Sequence, residues 1–461
     1  MNDASTIDSA GPAAAGTRPV PAANADVLHI PGEDGLPWFG MAREFLTDPR
    51  GMSRRMRDTY GPVFRTRFIG QRTVSLSGVE GLELVLLDRD KNFSSEQGWD
   101  HTIGRFFRRG LMLLDFDEHR FHRRIMQAAF KRDALEHYMA SMDEVVERSL
   151  THWRESDDFR FYPAVKQLTL DNAAVAFLGI ALGSEADRLN TAFIDSVAAS
   201  IALIRIPIPG LGYWRGLKGR ELLQDFFRTQ IPERRKSNGQ DMFTRLCHAT
   251  DDEGRRFSDD DIVDHMIFLM MAAHDTLTSS LTTAAYGLAA HPEWQQRLRA
   301  EAAVTGDGPL AYEQLDALPQ TEWVFNEALR MWGPVPFVPR RTQREFEFQG
   351  VRIPANVQVG VSPDAAHYDP AIWTDPERFD PERFSPDRAE HKRHLFAFCP
   401  YGGGAHKCIG MHFALILAKV MLRRLVMQFD IALPDGRSHA MQHLPIPKPK
   451  DGLPLILTPR G

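Results

Sequence analysis

One long helix constrains the fold of this chain more than any other feature. Ser258 is followed by three aspartates, a pattern typical of a capped helix N-terminus, and Pro292 ends the helical pattern. The roughly 30 residues between them would span roughly 50 Å, the width of a whole domain. The centre of this helix, residues 267–273, is apolar on every side. The sequence therefore predicts a mainly helical unit built around one buried central helix.

The two ends of the chain carry the strand signals. A predicted helix over 41–60 precedes two strands, 63–69 and 72–77, which are joined as a hairpin at Gly70. Strand patterns return within 345–361 and again at 454–458. We therefore expect a mainly α fold with a small β region that is contributed by both ends. Residues 1–26 are rich in Ala, Gly and Pro and predict a disordered leader, and residues 27–461 predict a single domain.

The composition excludes several classes of protein. The chain has 461 residues, with 55 Lys plus Arg against 61 Asp plus Glu, and this balance argues against nucleic acid as a partner. It has no stretch of the ~18 apolar residues that a membrane span needs and no secretory signal. Three separate cysteines give no disulfide framework, which fits a reducing compartment. We expect a monomer in the cytoplasm.

The most informative segment is 400–410, Pro-Tyr-Gly-Gly-Gly-Ala-His-Lys-Cys-Ile-Gly. Its glycines allow the backbone to approach a flat group closely. Cys408 precedes a predicted helix, whose N-terminus stabilises a thiolate and lowers the pKa of the thiol. Three roles are open for Cys408: a nucleophile, a metal ligand or inert packing. The glycine-rich setting favours a ligand.

Two predicted helices carry polar groups at positions that packing should bury. His274, Asp275 and Thr276 interrupt the central helix, and such groups are costly to bury unless they are paired. Taken alone, they indicate a satisfied bend in the helix. Glu327 and Arg330 lie three residues apart on a second helix, over 321–332, and can pair on one face. Most such pairs are solvated, but the apolar neighbours of this pair favour burial.

Together these motifs resemble the cytochrome P450 family of haem-thiolate monooxygenases. Segment 401–410 is similar to the family's haem-binding loop, Phe-Gly-x-Gly-x-His/Arg-x-Cys-x-Gly, with Tyr401 in place of Phe. Segment 272–276, Ala-Ala-His-Asp-Thr, resembles the oxygen-activating stretch Ala-Gly-x-Asp-Thr, with Ala273 at the usual Gly position. Glu327 and Arg330 match the family's Glu-x-x-Arg pair. The resemblance runs from about Pro31 to the end of the chain.

The resemblance implies the fold and the cofactor. The fold would be the helical P450 prism, with haem b buried between the central helix and the cysteine loop. Cys408 would be the axial ligand of the haem iron. The other implied haem contacts are Tyr401, Gly402, His406, His119, Arg123 and Arg340. Arg383 would complete a structural network with Glu327 and Arg330, with Arg378 as a second choice for the third member.

The resemblance also implies the activity. Asp275 and Thr276 would be catalytic, delivering protons while one oxygen atom of O2 enters an apolar substrate. The electron donors would be a separate ferredoxin and its reductase, with docking on a basic patch near Cys408. The patch residues would be Arg108, Arg109, Arg123, Arg124, Lys131 and Lys407. A peroxide-driven enzyme and a non-catalytic haem protein that binds apolar ligands remain alternatives.

The substrate class is indicated less directly. Segments 31–37 and 208–218 look similar to the branch of the family that hydroxylates sterols, retinoids and other isoprenoids, although ordinary loop residues would look the same. The pocket lining implied by the family is apolar, which suits such a substrate. Its members would be Phe106, Phe107, Leu111, Leu269, Ala272, Val335 and Phe337. We expect a substrate of isoprenoid or steroid size.

Overall fold

The computed structural model describes residues 27–153, 159–202, 204–434 and 439–460, and the predicted leader 1–26 lies outside these residues. The α-helices are, in chain order, α1 Ala42–Thr47, α2 Pro49–Tyr60, α3 Val79–Leu87, α4 Ser95–Trp99, α5 Arg105–Phe107, α6 Phe116–Met126, α7 Arg132–Trp153, α8 Phe161–Asn172, α9 Ser184–Ser200, α10 Gly212–Arg234, α11 Met242–His248, α12 Asp259–Ala290, α13 Pro292–Ala303, α14 Pro319–Met331, α15 Asp364–His367 and α16 Met411–Gln428.

The strands are short and cluster towards the two ends of the chain. They are β1 Gly32–Glu33, β2 Val63–Phe68, β3 Gln71–Leu76, β4 Phe93–Ser94, β5 Val338–Thr342, β6 Phe346–Phe348, β7 Val351–Ile353, β8 Gln358–Val361, β9 Phe429–Ala432, β10 Met441–Gln442, β11 Lys448–Pro449 and β12 Ile456–Pro459. The prediction of a mainly α fold with a small β region from both ends is confirmed.

The central helix α12 begins where its sequence predicts. The Ser258 side chain accepts a hydrogen bond from the backbone N–H of Asp261, and the Asp261 carboxylate accepts one from the backbone N–H of Ser258. This reciprocal cap satisfies N–H groups that have no partner within the helix. Most of α12 between Ile262 and Ala289 is buried, and the helix packs against α8, α10 and α14. It is the axis of the main hydrophobic core.

The largest sheet joins the N-terminal and C-terminal strands in the order β1-β2-β3-β8-β5-β4. The strands β2 and β3 form the predicted hairpin, with Val63 opposite Leu76 and a turn at Gly70, whose φ is +78°. The next pairing, between β3 and β8, is parallel and joins residues that are almost 300 positions apart. This sheet encloses a second core against α3.

The structure differs from the sequence prediction in one helix and in several strands. The helix expected over 41–60 is broken between α1 and α2, because Asp48 takes a non-helical conformation, with φ −151° and ψ 72°, and its side chain accepts a hydrogen bond from the backbone N–H of Gly51 at the start of α2. The strands β1, β9, β10 and β11 are missing from the prediction, and so are β4 and β5 of the largest sheet. Both are paired by partners that are distant in the sequence, and two-residue β4 is too short to show an alternating pattern. In the described ranges, no helix has the length and hydropathy to cross a membrane.

Candidate functional site

The cysteine loop is shaped by local backbone conformation and by α3. Gly402 and Gly404 have φ values of +68° and +58°, which favour glycine. A Cβ atom at Gly404 would collide with the carbonyl oxygen of Leu86, so this glycine accommodates α3 rather than a flat ligand. The backbone N–H of Cys408 donates to the carbonyl of Tyr401 at 2.8 Å, which closes the loop just before α16.

Cys408 is partly enclosed by the protein. Its thiol is accessible to water and yet has protein atoms around it on nearly every side. Burial raises the pKa of the Cys408 thiol, and the N–H of Gly410 with the charges of Arg123 and Lys407 only partly opposes this rise. The expected net lowering of the thiol pKa by the helix terminus is therefore wrong for the protein alone. A bound metal cation would supply the missing stabilisation of a thiolate.

Four cationic or imidazole side chains converge beside this loop. The His119 ring, on α6, lies against the His406 ring with 3.9 Å between the ring centres. Burial lowers the pKa of His406 well below its usual range, and the charges of Arg340, His119 and Arg123 lower it further. Burial and the charges of Arg123 and Arg340 lower the pKa of His119 to about 4. The structure thus brings these four predicted haem contacts together.

This cluster of His119, Arg123, Arg340 and His406, which we call the cationic cluster, makes no ion pair with a carboxylate of the described residues. Arg340 is only 4% exposed, and its one side-chain hydrogen bond in the described part of the chain goes to the carbonyl of Pro339 at 2.8 Å. Burial lowers the pKa of Arg340 to about 10. His119 Nε2 is buried without a hydrogen-bond partner. A ligand that carries carboxylates, such as the haem propionates, fits these unpaired groups.

The middle of α12 is open in the sense that its residues are only partly buried. Residues 271–273, 275 and 276 are half-buried, whereas the turns on both sides of them are almost entirely buried. Thr276 Oγ1 donates to the carbonyl of Ala272 at 2.6 Å. Asp275 points elsewhere, towards α8, where Lys166 Nζ lies 3.8 Å from its carboxylate. The structure therefore places Asp275 and Thr276 on different sides of α12, without a hydrogen bond between their side chains.

Glu327, Arg330 and Arg383 form one fully buried ion network. Arg330 donates twice to the Glu327 carboxylate, at 2.7 and 2.8 Å, and Arg383 donates to the same carboxylate at 3.1 Å. All three side chains have no exposure to solvent. Arg378, the second choice from the sequence, contributes its backbone carbonyl and keeps its side chain outside.

The sequence prediction missed two members of this network. Glu390 pairs with Arg383 at 3.4 Å and is itself almost fully buried. His367 accepts a hydrogen bond from the backbone N–H of Cys399 and receives another at its carbonyl from Arg330. It thereby ties the network to the segment that leads into the cysteine loop. Neither residue lies in a recognisable motif, and only their burial distinguishes them.

Other predicted residues divide into two groups. Phe106, Phe107, Leu111 and Leu269 are buried within the main core, whereas Ala272, Val335 and Phe337 are half-buried.

Arg109 is not a free surface cation, because it pairs with Glu118 at 2.9 Å and with Asp261 at 3.2 Å. It therefore contributes little to a docking patch. Arg124, Lys131 and Lys407 are exposed.

Comparisons with known proteins agree with this geometry. The family model of cytochrome P450 matches residues 30–454. A putative cytochrome P450 136 of Mycobacterium tuberculosis is 45% identical over 94% of this chain and 89% of that protein. A putative cytochrome P450 120 of Synechocystis is 29% identical over 93% of this chain and 97% of its own length. The solved structure of a retinoic acid-bound cyanobacterial CYP120A1 superposes with a TM-score of 0.83, at 29% identity over 93% of this chain and 99% of that one.

Proposed function

Because this chain belongs to the cytochrome P450 family, and is therefore a haem-dependent monooxygenase, we propose that it hydroxylates an apolar substrate of isoprenoid or steroid size. The observation that carries the substrate class is the likeness to a protein solved with retinoic acid, an isoprenoid with a long apolar chain. The half-buried apolar residues at the open middle of α12 and in segment 335–338 support the same class.

We assign the haem contacts as follows. Cys408 ligates the iron, and the haem, when bound, activates O2 and carries out the oxidation. His119, Arg123, Arg340 and His406 bind the propionates, and Tyr401 and Gly402 line the cysteine side of the haem. This assignment is supported by the Cys408 thiol, which is accessible although protein atoms surround it, and by the cationic cluster, which makes no ion pair with a carboxylate of the described residues.

Polar side chains of the protein would take up and transfer protons. The Thr276 hydroxyl lies at the open middle of α12 and would hold or pass on a proton at Oγ1. The Asp275 carboxylate, on another side of α12, can take up a proton from the solvent side. Glu327, Arg330 and Arg383 hold the fold and do not take part in the chemistry, because their network is closed to solvent.

Substitution of the proposed ligand tests the haem assignment. We expect Cys408→Ser to abolish the thiolate signature in the spectrum of the reduced carbon-monoxide complex, because an alcohol does not donate charge to iron as a thiolate does. Cys399→Ser is the matched control and should keep that signature, since Cys399 is buried and burial raises its pKa to about 12. Loss of the signature in the control, with its retention in Cys408→Ser, would refute the assignment.

A ligand titration tests the substrate class. The spin-state shift of the haem spectrum should occur at lower concentrations of retinoids, steroids and linear terpenoids than of small polar aromatic compounds. The reason is that burial contributes about 25 cal/mol per Å² of apolar surface. Tighter binding of a one-ring polar compound, with no shift from the larger ligands, would exclude the isoprenoid class.

The electron donor in this proposal is a small acidic ferredoxin with its reductase, acting on a monomer in the cytoplasm. The exposed cations Arg124, Lys131 and Lys407 near the cysteine loop support docking there. Complementary charges mainly accelerate encounter and are screened by salt. The rate of reduction by ferredoxin should therefore fall as the ionic strength rises, and a rate that is independent of salt would exclude this docking mode.

A further inference from the structure

A hydrogen bond between two buried imidazole rings joins α6 to α12. His122 of α6 is 3% exposed, and His265 of α12 is fully buried. His122 Nδ1 lies 2.7 Å from His265 Nε2, so one of the two nitrogen atoms donates to the other. The ring of Phe257, which precedes the cap of α12, packs against both imidazoles, with centroid distances of 5.2 and 4.8 Å. The pair is therefore enclosed by α6, α12 and the segment that leads into α12.

The direction of this hydrogen bond follows from the second nitrogen atom of His265. Burial lowers the pKa of His265 to about 3 and also lowers the pKa of His122, so both rings are neutral at pH 7. A neutral imidazole carries one proton, on either nitrogen atom. His265 Nδ1 is buried without a partner among the described residues, and a proton there would leave an orphaned N–H donor, which is rare in proteins. We therefore assign the proton to His265 Nε2, which donates to His122 Nδ1.

A second contact joins the same helices one turn away. Arg109, in the loop after α5, donates to the Glu118 carboxylate of α6 at 2.9 Å and to the Asp261 carboxylate of α12 at 3.2 Å. Glu118 lies four residues before His122, and Asp261 lies four residues before His265, so the two contacts occupy matching turns. The Arg109 and Glu118 side chains are 41% and 51% exposed, and solvent screens their attraction. The buried imidazole bond is therefore the stricter constraint on how the two helices lie together.

The two ends of α6 are anchored by other contacts. Just before the helix, the Asp115 carboxylate accepts hydrogen bonds from the backbone N–H groups of Ser95 and Glu96 in α4. At the C-terminal end, Ile125 and Met126 are buried in the main core. These anchors fix where α6 lies. The histidine bond, in the middle of α6, fixes which face its central turn presents to α12.

The rotation of this turn also determines where two of the proposed haem contacts point. His119 and Arg123 flank His122 in the sequence, and the three side chains span about 100° of the helix circumference. A rotation that moves one of them therefore moves all three. His119 reaches His406 with 3.9 Å between the ring centres while His122 bonds to His265, so both contacts occur at the same rotation of α6.

We propose that His122 and His265 are positioning residues for haem binding, whose hydrogen bond sets the rotation of α6 that directs His119 and Arg123 to the propionates. The pair lies outside the cationic cluster and acts only through α6. Its essential feature is an N–H donor at position 265 that meets an acceptor at position 122. This inference rests on the proposed function, because it takes His119 and Arg123 as haem contacts.

A double substitution separates the rotation of α6 from the stability of the fold. His122→Leu together with His265→Leu replaces both partners with apolar groups of similar size. Neither imidazole then remains buried without its partner, so the haem-free chain should keep its free energy of unfolding in urea. No directional bond fixes the rotation of α6, so haem transfer from the holoprotein to apomyoglobin should be roughly fivefold faster. The propionate bending band in the resonance Raman spectrum of the ferric holoprotein should also shift.

The matched control removes another buried hydrogen bond of α12. The hydroxyl oxygens of Thr169, on α8, and Thr278, on α12, lie 2.8 Å apart, and α8 carries none of the proposed haem contacts. Thr169→Val together with Thr278→Val should leave the rate of haem transfer and the propionate band unchanged.

A single substitution tests the donor at position 265. His265→Gln keeps a side-chain N–H donor and should transfer haem at nearly the wild-type rate. His265→Leu has no donor and should transfer haem as fast as the double leucine variant. The same rate in His265→Gln and His265→Leu would show that the N–H donor plays no part and would overturn the proposal.

Two further outcomes would overturn it. One is an unchanged rate of haem transfer or an unchanged propionate band in the double leucine variant. The other is a loss of haem-free stability that accounts for all of the faster transfer, because the pair would then only stabilise the fold. Failure of the proposed function is seen separately, since Arg123→Met would leave haem transfer unchanged or the unmodified protein would lack the thiolate signature.

Discussion

Two clusters of ionisable side chains in the described part of the chain, one buried and one mostly buried, are built in opposite ways. In the Glu327 network, the carboxylate accepts from both arginines, and the remaining guanidinium N–H groups reach backbone carbonyls. In the cationic cluster, no carboxylate of the described residues lies within ion-pair distance of any member. A buried charge without a counter-charge is costly. The Glu327 network therefore has its counter-charges within the protein, whereas the cationic cluster requires an anionic ligand.

The largest effect on stability should come from removing the carboxylate of the Glu327 network. Glu327→Gln keeps the shape of the side chain but leaves Arg330 buried without its counter-charge and Arg383 with Glu390 alone. We expect a loss of about 3–5 kcal/mol in the free energy of unfolding, measured by urea denaturation. The control Glu377→Gln removes an exposed carboxylate, paired with Arg54, and should change stability by less than about 0.5 kcal/mol. Equal effects of the two substitutions would mean that burial does not distinguish the pairs.

The next largest effect is a loss of stability in acid, which we expect from His119 in the cationic cluster. The pKa of His119 is about 4 in the folded chain and 6.5 in the reference state, so the unfolded chain binds more protons between these values. His119 therefore lowers the stability of the haem-free chain as the pH falls from about 6.5 to about 4, by at most about 3 kcal/mol.

His119→Gln should remove this part of the pH dependence, as measured by urea denaturation of the haem-free chain at several pH values. The haem-loaded protein should lose less stability over the same pH range, because propionates favour the protonated ring. An identical pH dependence in the variant and the parent chain would show that His119 is not the group that titrates.

The smallest effect on stability is expected for Arg340→Met, which should change the retention of haem instead. Arg340→Met removes a buried cation that lacks a counter-charge, so the haem-free chain should keep its stability or gain some. Loss of a charge-assisted hydrogen bond to haem should accelerate haem release about tenfold, measured by transfer to apomyoglobin.

The neighbouring Arg341 provides the control for this substitution. Its side chain bonds to the carbonyl and side-chain oxygen of Asn356. Arg341→Met should therefore lower the stability of the haem-free chain and leave the rate of haem release unchanged. The reverse pattern in the two variants would exchange the roles that the structure gives to these arginines.

Much of the fold and of the candidate site follows from short sequence patterns. The cap at Ser258, the hairpin at Gly70 and the Glu327–Arg330 pair are all contacts between residues no more than a few positions apart. Each of them was predicted. Glu390 was not predicted, because its role depends on Arg383 being buried beside it. The strand β5 was also missed, since its partners β4 and β8 are brought to it by the rest of the fold.

The sequence alone determined the elements whose stabilising contacts are local, namely the central helix with its cap and the cysteine loop with glycines at positive φ. Tertiary structure alone decided the direction of the pKa of Cys408, because desolvation depends on every element packed around the thiol. It also decided that Asp275 turns towards Lys166 while Thr276 bonds to its own helix. Hydrogen bonds within a turn are set by neighbouring residues, whereas burial and long-range charge are set by residues that only the folded chain brings together.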